Sequence, residues 1–105
     1  MAMQLGIVVI DDRNAAHAMG LLKAAQRREW QTRCFLTDRG VFLLKDPAFR
    51  EMLDEGKAHY SICELSIERY ADEGVSVEGL EDKIIVGGQY QNAELVHNCD
   101  QVLTF

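Results

Sequence analysis

Leu5-Gly6-Ile7-Val8-Val9-Ile10, followed at once by Asp11-Asp12-Arg13-Asn14 and then by an amphipathic stretch from Ala15 to about Glu29, decides the fold. A continuous β-branched run with no polar alternation predicts a strand covered on both faces, which is the habit of parallel sheets. In the stretch that follows, Ala15, Ala18, Met19, Leu22 and Ala25 recur at helical spacing, while His17, Ala24, Arg27 and Arg28 fall on the other side. Asn14 is the residue type that caps such a helix.

The same alternation repeats outward from this unit. Residues 32–36 read as a second strand and Thr37-Asp38-Arg39-Gly40 as a loop. Asp46-Pro47 predicts a helix start, because proline at the first helical position forfeits no hydrogen bond. Phe49, Met52 and Leu53 then face inward, and Gly56 suits the left-handed residue that closes the helix. Residues 59–63 read as a third strand, with Ser66 as the cap of a short helix running to Glu73. Residues 84–86 form a fourth strand ended by Gly87-Gly88, Asn92 caps a last helix, and residues 101–105 close as a fifth strand. Strands alternating with helices predict one α/β domain over residues 1–105, a three-layer α/β/α sandwich on a five-stranded, mostly parallel sheet. In such folds chemistry collects in the loops at the carboxyl ends of the strands. Here these are Asp11-Asp12, Asp38-Arg39, residues 63–66 and residues 87–92.

Composition narrows the function classes. The chain has 105 residues, 48% hydrophobic and 27% charged, enough for a packed core and unlike a disordered segment. The net charge of −6 disfavours nucleic acid as a partner. The charge is uneven: residues 1–50 balance to +3 and residues 51–105 to −9. That asymmetry reads either as solvated helix faces or as an acidic half that meets a basic surface on a second subunit. The apolar segment Val41-Phe42-Leu43-Leu44, placed in a loop, predicts a homo-oligomer unless it folds into the core. The opening run from Met1 to Ile10 lacks a basic region and is too short for a signal peptide or a membrane span, which predicts a cytoplasmic location.

Cys34, Cys63 and Cys99 form no CxxC pair, and His17, His59 and His97 do not share metal-ligand spacing with them, so neither a zinc site nor a disulfide framework is expected. No GxGxxG or GxxxxGK[ST] occurs, so no nucleotide cofactor is expected. Asp11-Asp12 resembles the acidic pair of receiver domains, yet that site needs an aspartate ending the third strand, where this chain has Cys63. Cys34 lies inside a strand and reads as a core thiol, and Cys99 sits beside Asp100, which discourages a thiolate. Cys63 differs. It ends a strand just before a helix, where a loop would leave it partly exposed and backbone amides favour the thiolate that makes cysteine a nucleophile. Ser66 is placed to hydrogen-bond the sulfur, Arg69 adds positive charge, and Glu64 opposes it.

Four stretches together resemble the DsrE/DsrF/TusD family of small sulfur-relay proteins. They are Phe35-Leu36-Thr37-Asp38-Arg39-Gly40-Val41, Cys63-Glu64-Leu65-Ser66-Ile67-Glu68-Arg69, Gly74-Val75, and Asn92 through the terminal Asp100-Gln101-Val102-Leu103-Thr104-Phe105. The resemblance spans essentially the whole chain, with Arg39 as an insertion in the Asp-Gly-Val turn. It implies a cytoplasmic protein that accepts sulfane sulfur as a persulfide on Cys63, supported by Ser66, Arg69 and Asp38, and passes it between donor and acceptor proteins. It also implies assembly as a trimer or hexamer of like subunits. The alternative is a non-catalytic oligomeric subunit or small-molecule binding module of the same fold.

Overall fold

The computed structural model describes residues 3–105, so the first two positions of the opening run lie outside the described residues. Five strands, β1 (Gln4–Val9), β2 (Gln31–Leu36), β3 (His59–Cys63), β4 (Ile85–Gly87) and β5 (Gln101–Thr104), form one sheet in the order β4-β3-β2-β1-β5. Every pairing is parallel. Four α-helices connect or follow them: α1 (Ala15–Arg27), α2 (Pro47–Glu55), α3 (Glu64–Arg69) and α4 (Gln89–Asn98).

The strand order explains the layers. From β1 to β4 each strand is laid beside the last in one direction, and right-handed crossovers then place the connecting helices on one face. The connection from β4 to β5 runs back across the sheet, so α4 covers the opposite face. The core follows the pleat. Leu5, Ile7 and Val9 of β1 join Cys34, Leu36, Tyr60 and Ile62 beneath α1 and α2, while Val8, Phe35 and Cys63 join Leu95 of α4 on the other side. The expected three-layer α/β/α sandwich is the observed one, with a sheet that is parallel throughout. Among the described residues, no helix is long and apolar enough to cross a membrane.

Local details differ from expectation at several points. Asn14 makes no side-chain cap; Asp11 instead caps a 3₁₀ turn, Asp12–Asn14, by accepting from the Arg13 N–H at 2.9 Å. α1 ends at Arg27 because Glu29 takes a left-handed conformation, φ 63°, and the Trp30 N–H returns to the Ala25 carbonyl. Asp46 and Pro47 start α2 as expected, the carboxylate accepting from the Ala48 N–H, and left-handed Gly56 ends it. Asn92 lies inside α4, whose N-cap position is Gly88. The stretch read as a loop after β2 is a 3₁₀ helix, Asp38–Lys45, in which Val41, Leu43 and Leu44 are fully buried. Those three residues belong to the core, while Phe42 between them is only half-buried.

Gly40 is what lets this 3₁₀ helix reach the core. A Cβ there would sit 1.9 Å from the Val9 carbonyl oxygen, a backbone atom held in the sheet. Gly20, exposed on α1, has nothing within 4 Å of its own ideal Cβ. We therefore expect opposite signs in urea unfolding. Gly40→Ala should destabilise by about 3 kcal/mol, the upper range for overpacking, whereas Gly20→Ala should stabilise by about 0.5–1 kcal/mol through helix propensity.

Candidate functional site

Cys63 is both the last residue of β3 and the N-cap position of α3, in extended conformation with φ −75° and ψ 119°. Because α3 starts at Glu64 with no intervening loop, the sulfur is not carried out into solvent. Cys63 is 8% exposed, where a partly exposed loop was expected. It packs with Val8, Phe35 and Leu95 on the face covered by α4.

Parallel register brings the second element of the site. Leu36 pairs with Ile62, so Thr37, the next residue of the extended chain, stands beside Cys63 on the same face. On the other flank Cys63 pairs with Gly87 of β4. Burial alone pushes the Cys63 thiol up. Against it act the nearby Ser66 hydroxyl and N–H, the Thr37 hydroxyl and the Leu65 N–H, which favour the thiolate, and the net result lies below the ordinary thiol value. Hydrogen bonds to the charged form outweigh desolvation here, and a lowered thiol is the reactive kind.

Ser66 does not cap α3, as its sequence position suggested. It is a buried residue within the first turns of the helix, and its Oγ accepts from the Asp38 backbone N–H at 2.8 Å. That bond leaves the hydroxyl hydrogen free to donate to sulfur. Asp38 sits at the tip of the β2 turn with φ 49°, and its carboxylate accepts from Tyr70 Oη at 2.9 Å and Arg69 Nη1 at 3.4 Å. Arg69 is thus engaged by Asp38, and both side chains are more than half exposed. An exposed pair of this kind contributes about 0–1 kcal/mol, so its role is positional. Tyr70 in turn packs on Phe42, with ring centroids 4.9 Å apart, and Arg39 lies 4.7 Å over the same Phe42 ring while pairing with Asp12 at 3.2 Å. The loops after β1, β2 and β3 are therefore tied together around the thiol.

The remaining candidates fall elsewhere. The Asp11 carboxylate is held down to about 2 by hydrogen bonds from the Arg13 side chain and backbone. It serves its 3₁₀ turn. Cys34 is fully buried and pushed up to about 12 by desolvation. Cys99 is raised, by burial first, with Arg33 opposing and Asp100 adding to the rise. A cavity of about 450 Å3 opens between Asp12, Ala15, Phe42, Lys45 and Pro47, but Cys63 does not line it. Among the described residues no group of three or more His, Cys, Asp or Glu is arranged to hold a metal ion. Sequence reading missed Thr37 as a site residue. Its signal, one position past β2, becomes visible only once β2 is known to neighbour β3.

These environments rank the three thiols. With iodoacetamide across pH 6–9, a range chosen around the ordinary thiol value of about 8.5, Cys63 should alkylate at the lowest pH, Cys99 later, and Cys34 not at all in the folded chain. Thr37→Val and Ser66→Ala should each move the Cys63 profile to higher pH. Ser66→Ala should also cost about 1–3 kcal/mol of stability, because the Asp38 N–H loses its acceptor.

No protein-family model matches the chain and no curated protein matches it, so the chemistry of the site rests on its own geometry.

Proposed function

We propose that the chain is a sulfur-relay protein that carries sulfane sulfur on Cys63. The observation that carries this reading is the placement of Thr37 and Ser66 beside Cys63 at the end of β3, which favours its thiolate despite burial. The loading step is a thiol exchange. The Cys63 thiolate attacks the outer sulfur of a donor's persulfide, a new S–S bond forms to Cys63, and the donor's S–S bond breaks with its electron pair leaving on the donor thiolate. No net oxidation occurs, and unloading repeats the step with an acceptor thiolate attacking the outer sulfur on Cys63. Thr37, Ser66 and the Leu65 N–H stabilise the thiolate as it arrives and as it leaves. Asp38 fixes Ser66, and Arg69 and Tyr70 fix Asp38.

The donor and acceptor are proteins bearing cysteine or persulfide groups, and a reducing cytoplasm keeps the carrier thiol free. Self-association of like subunits, as a trimer or hexamer, belongs to the same proposal. Its support is the uneven charge, +3 over residues 1–50 against −9 over residues 51–105, which allows unlike faces of neighbouring copies to meet. Sedimentation at micromolar concentration and moderate salt should give a species larger than one chain; a clean monomer overturns this part.

A second reading is a binding module without thiol chemistry. The burial of Cys63 and the separate cavity beside Phe42 and Lys45 favour it. Mass spectrometry of the intact chain after treatment with a sulfane-sulfur donor separates the two. The relay predicts one added sulfur, located on Cys63 and absent from Cys63→Ser, with Cys34 and Cys99 unmodified. Cys34→Ser should keep the adduct but destabilise by roughly 1–3 kcal/mol, since it places a hydroxyl in an apolar interior. An unmodified Cys63 under these conditions leaves the binding module.

A further inference from the structure

We propose that the free edge of β4 docks an extended, lysine- or arginine-rich segment of the protein that exchanges sulfur with Cys63, added to the sheet as a sixth strand. The inference deepens the sulfur-relay reading by naming the kind of partner, and it rests on that reading only for what the partner does.

Three observations meet at this edge. β4 is the outermost strand on its side, so one row of its backbone N–H and C=O groups faces no strand among the described residues. Natural sheets blunt such edges with charge, proline or a covering element. β4 has none of these on its own three residues, and its two large side chains, Ile85 and Val86, are apolar and 44% and 38% exposed, one on each face of the strand. Alternate apolar side chains on an open edge are what β-strand addition uses: backbone bonds supply affinity and side-chain pockets supply choice.

The second observation is charge. From Glu64 to the end of the chain there are nine carboxylates and two cations, Arg69 and Lys83. Both cations are spent on carboxylates outside that stretch, Arg69 on Asp38 and Lys83 on Asp54, and none of the nine carboxylates has an ion-pair partner among the described residues. Glu78, Glu81 and Asp82 lead directly into β4, and Glu64 follows Cys63, the residue paired with Gly87. Two acidic edges of this kind repel, so a second copy pairing edge to edge is disfavoured, whereas a basic strand is attracted and steered.

The third observation is position. The docked strand would lie one strand away from Cys63, beyond Gly87-Gly88, where no side chain projects from β4. Leu65 and Tyr90 stand exposed at the starts of α3 and α4, at 70% and 72%, at the same end of the sheet. They give a partner apolar footholds near the thiol.

The test is proton–nitrogen NMR of the full chain titrated with a short, end-blocked peptide of alternating lysine and valine. Two controls accompany it: the same peptide with alternate backbone nitrogens methylated, and its glutamate–valine counterpart. We expect shifts centred on Ile85, Val86 and Gly87 for the lysine peptide alone, with affinity falling about tenfold when salt is raised from low ionic strength to about 0.5 M. Ile85→Lys, at an exposed position, should keep the spectrum of a folded chain and weaken binding about tenfold. Cys63→Ser should bind unchanged, so docking and thiol chemistry fail separately. Absence of shifts at residues 85–87, equal binding of the glutamate peptide, or shifts there on raising the concentration of the chain alone would each overturn the proposal, the last by assigning the edge to a second copy.

Discussion

A hydrogen bond of 2.8 Å from the Asp38 backbone N–H to Ser66 Oγ joins the end of β2 to the helix that follows β3, and the site depends on it. Without that bond the Ser66 hydroxyl has no fixed direction and the turn at Asp38, held at φ 49°, has no tertiary partner for its amide. A partly buried amide left without an acceptor costs about 1–3 kcal/mol. The neighbouring Asp38–Arg69 pair, largely in solvent, contributes about 0–1 kcal/mol. The neutral bond therefore outranks the ion pair. The charges orient the turn, and the backbone-to-hydroxyl bond holds it.

Cys63 shows how a parallel sheet can activate a thiol without exposing it. The strand delivers the sulfur to the sheet's carboxyl edge, and direct continuation into α3 offers the Leu65 and Ser66 N–H groups before they are consumed by the helix. Register adds the Thr37 hydroxyl from the neighbouring strand. The same burial that would raise the thiol also lowers the local dielectric, which strengthens each donor acting on the thiolate. Cys34, enclosed more deeply in the sheet's core and without such donors, is driven by burial to about 12. The two cysteines thus differ both in depth of burial and in the donors around them.

Much of the fold was legible because it depends on local periodicity. The run at residues 5–10 reads as a strand buried on both faces whatever lies around it, and Asp46-Pro47 and Gly56 act through their own backbone preferences. What escaped was set by distant partners. Ser66 and Asn92 are cap-type residues, but Ser66 is claimed by an amide 28 positions away and α4 starts three residues before Asn92, at Gln89. Loop and core were both open for residues 41–44 because nothing local decides between them; Gly40 lets Val41, Leu43 and Leu44 pack inward by the end of β1. Thr37 could not be assigned to the thiol until strand order placed β2 beside β3. Cys63 itself was legible as the residue of interest, though not as a buried one.

The central claim is that donors at Cys63 overcome its burial. The most direct measurement is a pH titration of cysteine-Cβ carbon-13 shifts in the folded chain, with Cys63 assigned by Cys63→Ser. The account predicts a Cys63 midpoint below the ordinary thiol value of about 8.5, with Cys34 silent throughout. A Cys63 midpoint at or above that value would contradict it.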